Sequence, residues 1–187
     1  GRYSPPGAND MKRLCLLRHA KSDWGDPAKD DFDRPLNARG SKAAGFMAGY
    51  IAASPYRPDA VLCSTAARAT ATCAPLCEAL GKGVPVTYRD EPYHAMPDAM
   101  LDEIRKAPDE AQTLLVVGHN PGLVLLAMAL AEDPDEETAL RVAHGVPTGG
   151  FIVFELPIEH WSDIAEGEGR TVFFGRPRDL MAAEAEN

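Results

Sequence analysis

Cysteine is scarce: four residues in a chain of 187 are too few for a disulfide scaffold, so the fold must rest on a hydrophobic core. Cys15 and Cys63 lie inside apolar runs, where a free thiol acts as a small hydrophobe. Cys73 and Cys77 are four apart and can share one helix face, yet two thiols without a nearby His or third Cys do not make a zinc site. No apolar stretch approaches the roughly 18 residues of a membrane span, and no signal peptide is visible. These absences point to a reducing cytoplasm and no membrane partner. Neither GxGxxG nor GxxxxGK followed by Ser or Thr occurs, so nucleotide binding by those devices is not indicated. Cations are outnumbered, 19 Lys and Arg against 28 Asp and Glu, for a net charge of −9. Such a chain has no general attraction for nucleic acid, and any anion it binds must be held by a local cation cluster.

What is present is ordinary for a globular protein: 45% hydrophobic and 25% charged residues. A chain of this length buries roughly 70% of its unfolded surface. There is no internal repeat and no dividing linker, so residues 11–187 read as one domain. Residues 1–10 read as an unstructured leader or expression remnant.

Short apolar runs alternate with helical patterns. Leu14 to Leu17 has the continuous apolar character of a strand buried on both faces. A polar, Asp-rich loop from Ser22 to Arg34 follows, then a helix over Asn37 to Ala53. Asp59 to Cys63 is a second strand, with Ser64 and Thr65 as N-caps of a helix that Gly81 stops. Val84 to Tyr88 is a third strand, and Pro97 to Lys106 a helix opened by proline. Thr113 to Val117 is the strongest strand, followed by Asn120 as a cap and a helix to Leu130. Phe151 to Phe154 and Thr171 to Phe174 complete the set. The order β-α-β-α-β-α-β-α-β-β implies an α/β fold with a mostly parallel sheet and helices on both faces.

In such sheets ligands bind at the carboxyl ends of the strands. Three strand ends carry chemistry here: Arg18-His19, Arg68 in the first helical turn after the second strand, and His119 after the strongest strand. Any one of these alone would ordinarily be a solvated arginine or a hydrogen-bonded histidine. Two guanidinium forks and two imidazoles on one rim instead match a phosphate or carboxylate.

The blocks LLRHAKSDW (Leu16 to Trp24), CSTAARATATC (Cys63 to Cys73) and VVGHNPG (Val116 to Gly122) resemble, in order, those of the histidine phosphatase, or phosphoglycerate-mutase-like, superfamily. RPLNARG (Arg34 to Gly40) is similar to a block of its SixA-like phosphohistidine phosphatases. The resemblance spans roughly Met11 to Phe174. It implies a three-layer α/β/α sandwich and a single histidine-phosphatase-like catalytic domain over residues 11–187. It further implies a phosphatase acting through a phosphohistidine on His19, with Arg18, Arg68 and His119 clamping the transferred phosphoryl oxygens. Arg18 and Arg68 would disfavour the charged form of His19, and permanently charged arginines need no metal or other cofactor.

Ser22 stands where the family often has a phosphate-binding hydroxyl; a loop hydroxyl facing water is the equal alternative. Glu91 is the best-placed general acid by resemblance, with Asp90 and His94 as competitors and solvated loop residues as the plain alternative. Ala20 stands where most members have glycine, and Gly25 where mutases have asparagine. Only 50 residues lie between Arg68 and His119, too few for the long mutase cap. An open site suits a phosphohistidine on a protein partner or a small phosphoester. A phosphate-recognition module without turnover is the alternative of another class. Asp23, Asp26, Asp30, Asp31 and Asp33 lack the pattern of a calcium loop and read as a solvated acidic segment. His144 and His160 receive no role.

Overall fold

The computed structural model describes residues 11–93, 96–133 and 145–186; the leader assigned to residues 1–10, His94 and His144 lie outside the described residues. Six strands form one sheet: β1 (Lys12–Arg18), β2 (Ala60–Ser64), β3 (Val86–Arg89), β4 (Thr113–Gly118), β5 (Phe151–Leu156) and β6 (Arg170–Gly175). Their order is β3-β2-β4-β1-β5-β6. The first four are mutually parallel; β5 pairs antiparallel with β1, and β6 antiparallel with β5. The expected, mostly parallel α/β sandwich is what forms.

The period of two divides each central strand between two cores. Leu14, Leu16, Leu114, Val116, Ile152 and Phe154 face one side, where α3 (Pro97–Arg105) and α4 (Gly122–Leu130) cover them. Cys15, Leu17, Leu115, Val117, Phe151 and Val153 face the other, beneath α1 (Ala38–Ala53) and α2 (Ala67–Leu80). Leu180 of α5 (Pro177–Ala185) packs at the margin of this second core. Burying each such side chain is worth about 1.5–3 kcal/mol, so the continuous apolar runs are the sheet's own stabilisation. All four cysteines are free thiols; Cys73 and Cys77 do share a helix face, with sulfurs 3.3 Å apart.

Local chemistry departs from expectation at two helix starts. Neither Ser64 nor Thr65 is the N-cap of α2; that residue is Ala66, with no side-chain cap bond. The Ser64 hydroxyl is engaged with His119 and Thr65 donates to Asp90, so neither serves as the helix's side-chain cap. Asn120 likewise does not cap α4, because its amide donates to the Val146 carbonyl at 2.8 Å. Asn37 does cap α1, its side chain accepting the Gly40 N–H at 2.8 Å.

The register levels the strand ends that matter. Arg18 pairs with Gly118 and Cys63 with Val117, which brings the ends of β1, β4 and β2 to one height on the rim.

Candidate active site

His19 leaves β1 with its backbone clamped on two sides. Its N–H donates to the Gly118 carbonyl at 3.1 Å, while the Gly149 N–H is shared between the carbonyls of Arg18 and His19, each at 3.0 Å. Gly149 has φ of +74°, and a Cβ there would lie 2.6 Å from Pro177 Cγ, so only glycine fits. Ala20 donates to Thr72 Oγ1 at 2.9 Å, and that hydroxyl donates to the Arg68 carbonyl at 2.7 Å. The loop after the histidine is thus tied to the helix that carries the arginine. Ala20 is fully buried, so the extra methyl beyond glycine is accommodated in the packing.

The His19 ring is buried, and its Nδ1–H donates to the Ala20 carbonyl at 2.8 Å. That bond leaves Nε2 with its lone pair, and Arg68 Nε donates to it at 3.3 Å. Burial lowers the His19 pKa to about 4, with smaller contributions from the charges of Arg68, Arg18 and Arg34. The two expected arginines act in the expected direction, but desolvation outweighs them. His119 sits beside it, the ring centroids 5.1 Å apart, with its Nε2 hydrogen-bonded to Ser64 Oγ at 2.8 Å.

Arg18 is turned differently: its Nη1 donates to the Val146 carbonyl at 2.8 Å and its buried Nε has no hydrogen-bond partner among the described residues. It lines a cavity with Asn120, Val146 and Arg176, close enough to Arg68 for the two charges to disfavour each other.

Three residues of the site were not anticipated. Asp31, expected in a solvated acidic loop, accepts from Arg68 through its carboxylate at 3.1 Å and its carbonyl at 2.7 Å. It also accepts from Arg34 Nη2 at 2.9 Å and from the Tyr93 hydroxyl. These donors hold its carboxyl well below the usual carboxylate range, the Tyr93 bond most of all. Arg34 is buried, stacked over the Trp24 ring at 3.5 Å, and donates to Ser22 Oγ. Ser22 therefore is not a hydroxyl facing water; it is buried and taken by Arg34. Tyr93 stands edge-on to His119, centroids 5.2 Å apart. The pointer in the sequence was the RPLNARG block, which supplies Arg34 three residues after Asp31.

Glu91 is exposed in a short 3-10 turn, Glu91–Tyr93, and makes no hydrogen bond or ion pair among the described residues. Asp90 accepts from Thr65. Between Arg68 and His119 the described chain is used by α2, β3, this turn, α3 and β4, leaving no separate lobe over the rim. Trp24 projects beside the site, 76% exposed. Among the described residues no group of three or more His, Cys, Asp or Glu side chains is placed to hold a metal ion, and no helix is long and apolar enough to cross a membrane.

Residues 14–91 match the model of the histidine phosphatase superfamily (branch 1). The chain is 40% identical over 164 residues to an uncharacterized Mycobacterium tuberculosis protein, covering 87% of this chain and all of the relative. A candidate phosphohistidine phosphatase SixA from Nakamurella multipartitia is similar in structure, with TM-score 0.76, 32% identity, and 89% and 96% of the two chains covered. Its counterpart from Agrobacterium tumefaciens gives TM-score 0.71 and 34% identity over 89% and 98%.

Proposed function

The chain belongs to the histidine phosphatase superfamily, and we propose that this phosphatase works through a phosphohistidine on His19, as a SixA-like protein phosphohistidine phosphatase. The observation that carries the reading is the geometry at one atom: His19 Nε2 lies 3.3 Å from the Arg68 Nε donor, as a nitrogen with a free lone pair does, and belongs to a ring whose other nitrogen is committed to the Ala20 carbonyl.

Nε2 attacks phosphorus; the N–P bond forms as the bond to the leaving atom breaks, and the leaving group departs with the electron pair and takes a proton. Positive charge appearing on the imidazole is stabilised by the Nδ1–H bond to the Ala20 carbonyl. Arg68 Nε–H turns from Nε2 to a phosphoryl oxygen, Arg18 releases the Val146 carbonyl to take a second, and His119 takes the third. Water then adds to phosphorus, the N–P bond breaks, its pair returns to the ring, and orthophosphate leaves. Glu91 donates the proton when the leaving group is an alkoxide. A phosphohistidine substrate needs it less, since protonated imidazole leaves readily. The lack of a separate lobe over the rim among the described residues and the two SixA likenesses above 30% identity favour a phosphoryl group presented on a protein surface.

The test compares a phosphohistidine protein, an aryl phosphate and small metabolite esters as substrates. The reading expects fastest turnover on the phosphoprotein, no loss on chelation, and a fall of at least about 1000-fold on all three in His19→Ala. Retained turnover in that variant overturns it; preference for a metabolite ester replaces the protein substrate with a small one.

A further inference from the structure

Five of the 19 Lys and Arg of this acidic protein gather in one place that the proposed phosphoryl transfer does not use. A cavity of about 530 Å³ between the first turn of α1 and the start of α5 is lined by Lys21, Arg39, Lys42, Arg176 and Arg178. They make up half of its ten lining residues, none of which is acidic. With 19 Lys and Arg in 187 residues, ten drawn at that frequency would include about one.

The backbone positions that carry these exposed cations are fixed relative to one another. The Asn37 N–H donates to the Lys21 carbonyl at 2.9 Å, and α1 approaches so closely that a Cβ on Gly40 would lie 1.9 Å from that oxygen. Arg39 and Lys42 are therefore fixed relative to Lys21, two residues beyond His19. On the other wall, Gly149 packs on Pro177 at the head of α5, which carries Arg178. Arg176 is paired with Asp179 at 2.7 Å; Lys21, Arg39, Lys42 and Arg178 make no ion pair among the described residues. Pro147 and Arg176 also line the neighbouring cavity that contains Arg18, so the positive surface is continuous with the end of β1.

We propose that this groove is a binding site for a small polyanion, a molecule bearing two or more phosphate or carboxylate groups, separate from the phosphoryl site at His19. Like charges gathered in a concavity repel one another, and their focused potential favours a multivalent anion. Arginine forks match phosphate and carboxylate oxygens, while Pro147, Pro177 and Met181 offer apolar surface to a carbon skeleton. The volume lies in the range of roughly 300–1,000 Å³ typical of small-molecule sites.

The experiment titrates inorganic tripolyphosphate into the full chain by calorimetry, in wild type, Lys42→Glu/Arg178→Glu, the milder Lys42→Gln/Arg178→Gln, and Arg68→Met. The proposal expects binding that weakens with added salt, falls at least tenfold in the Glu pair and less in the Gln pair, and stays within twofold of wild type in Arg68→Met. No binding to wild type, unchanged binding in both groove variants, or binding lost in Arg68→Met overturns it.

Discussion

Asp31 holds Arg68 by the edge of the guanidinium that His19 does not use: Oδ2 lies 3.1 Å from Nη2 and the carbonyl oxygen 2.7 Å from Nη1, while Nε faces the imidazole. Two donors from distant parts of the chain, Arg68 and Tyr93, and the nearby Arg34 meet on this one carboxylate, and the arginine is aimed as a result. Asp31→Asn keeps the shape and removes the charge. Because displacement of a positioned group by about 1 Å can cost 100-fold, kcat/KM on an aryl phosphate should fall between about 10-fold and 100-fold, chiefly in kcat. Asp31→Glu should recover part of the loss, which steady-state kinetics on the three proteins would read directly.

Thr72 joins the loop after His19 to the helix of Arg68 through two bonds of 2.9 and 2.7 Å, in a buried position. Thr72→Val keeps the volume and leaves the Ala20 N–H without a partner, a cost of about 1–3 kcal/mol. Denaturant unfolding should show that loss, and activity should drop with it because both tethered groups serve one site.

Gly40 is a third sensitive position. A methyl group there would meet the Lys21 carbonyl at 1.9 Å, a contact neither backbone can keep. Overpacking of this kind costs typically 1–3 kcal/mol. Gly40→Ala should lower the melting temperature by several degrees, whereas Gly45→Ala, with open space around its Cβ position, should not.

The pH response follows from the buried imidazole. Its folded pKa, about 4, lies below the 6.5 of an ordinary histidine, so the unfolded chain takes up the proton first. The His19 contribution to stability is complete above pH 6.5 and is lost as pH falls toward about 4, by up to about 3 kcal/mol. Relative to wild type, His19→Asn should flatten the stability profile across that window. The acid limb of kcat/KM in wild type should fall near pH 4, and a limb centred at 6.5 would contradict a neutral buried nucleophile.

The sheet was legible because strands buried on both faces spell themselves as continuous apolar runs, as Leu14 to Leu17 and Thr113 to Val117 do. His19, Arg68 and His119 were legible because each follows a strand end directly, and chain order already sets them on one rim. Asp31 was hidden among four other aspartates, and nothing local separates it from them; what does is Arg68, 37 positions away, and Tyr93, 62 away. The capping roles given to Ser64 and Asn120 failed for the same reason, since His119 and Val146 claim those side chains from across the fold. Helix α5, Pro177–Ala185, lies past the last pattern recognised, although proline at its first turn and Asp179 behind it are ordinary start signals.

The strand that ends at His19, β1, and the strand that leads into the helix of Arg68, β2, never touch; β4 lies between them, although it is the last of the three to be synthesised. While the chain emerges from the ribosome, amino end first, neither partner has the wall that would bring it to the other. The rim on which His19 and Arg68 meet is closed only once β4, with His119 behind it, lies between β1 and β2.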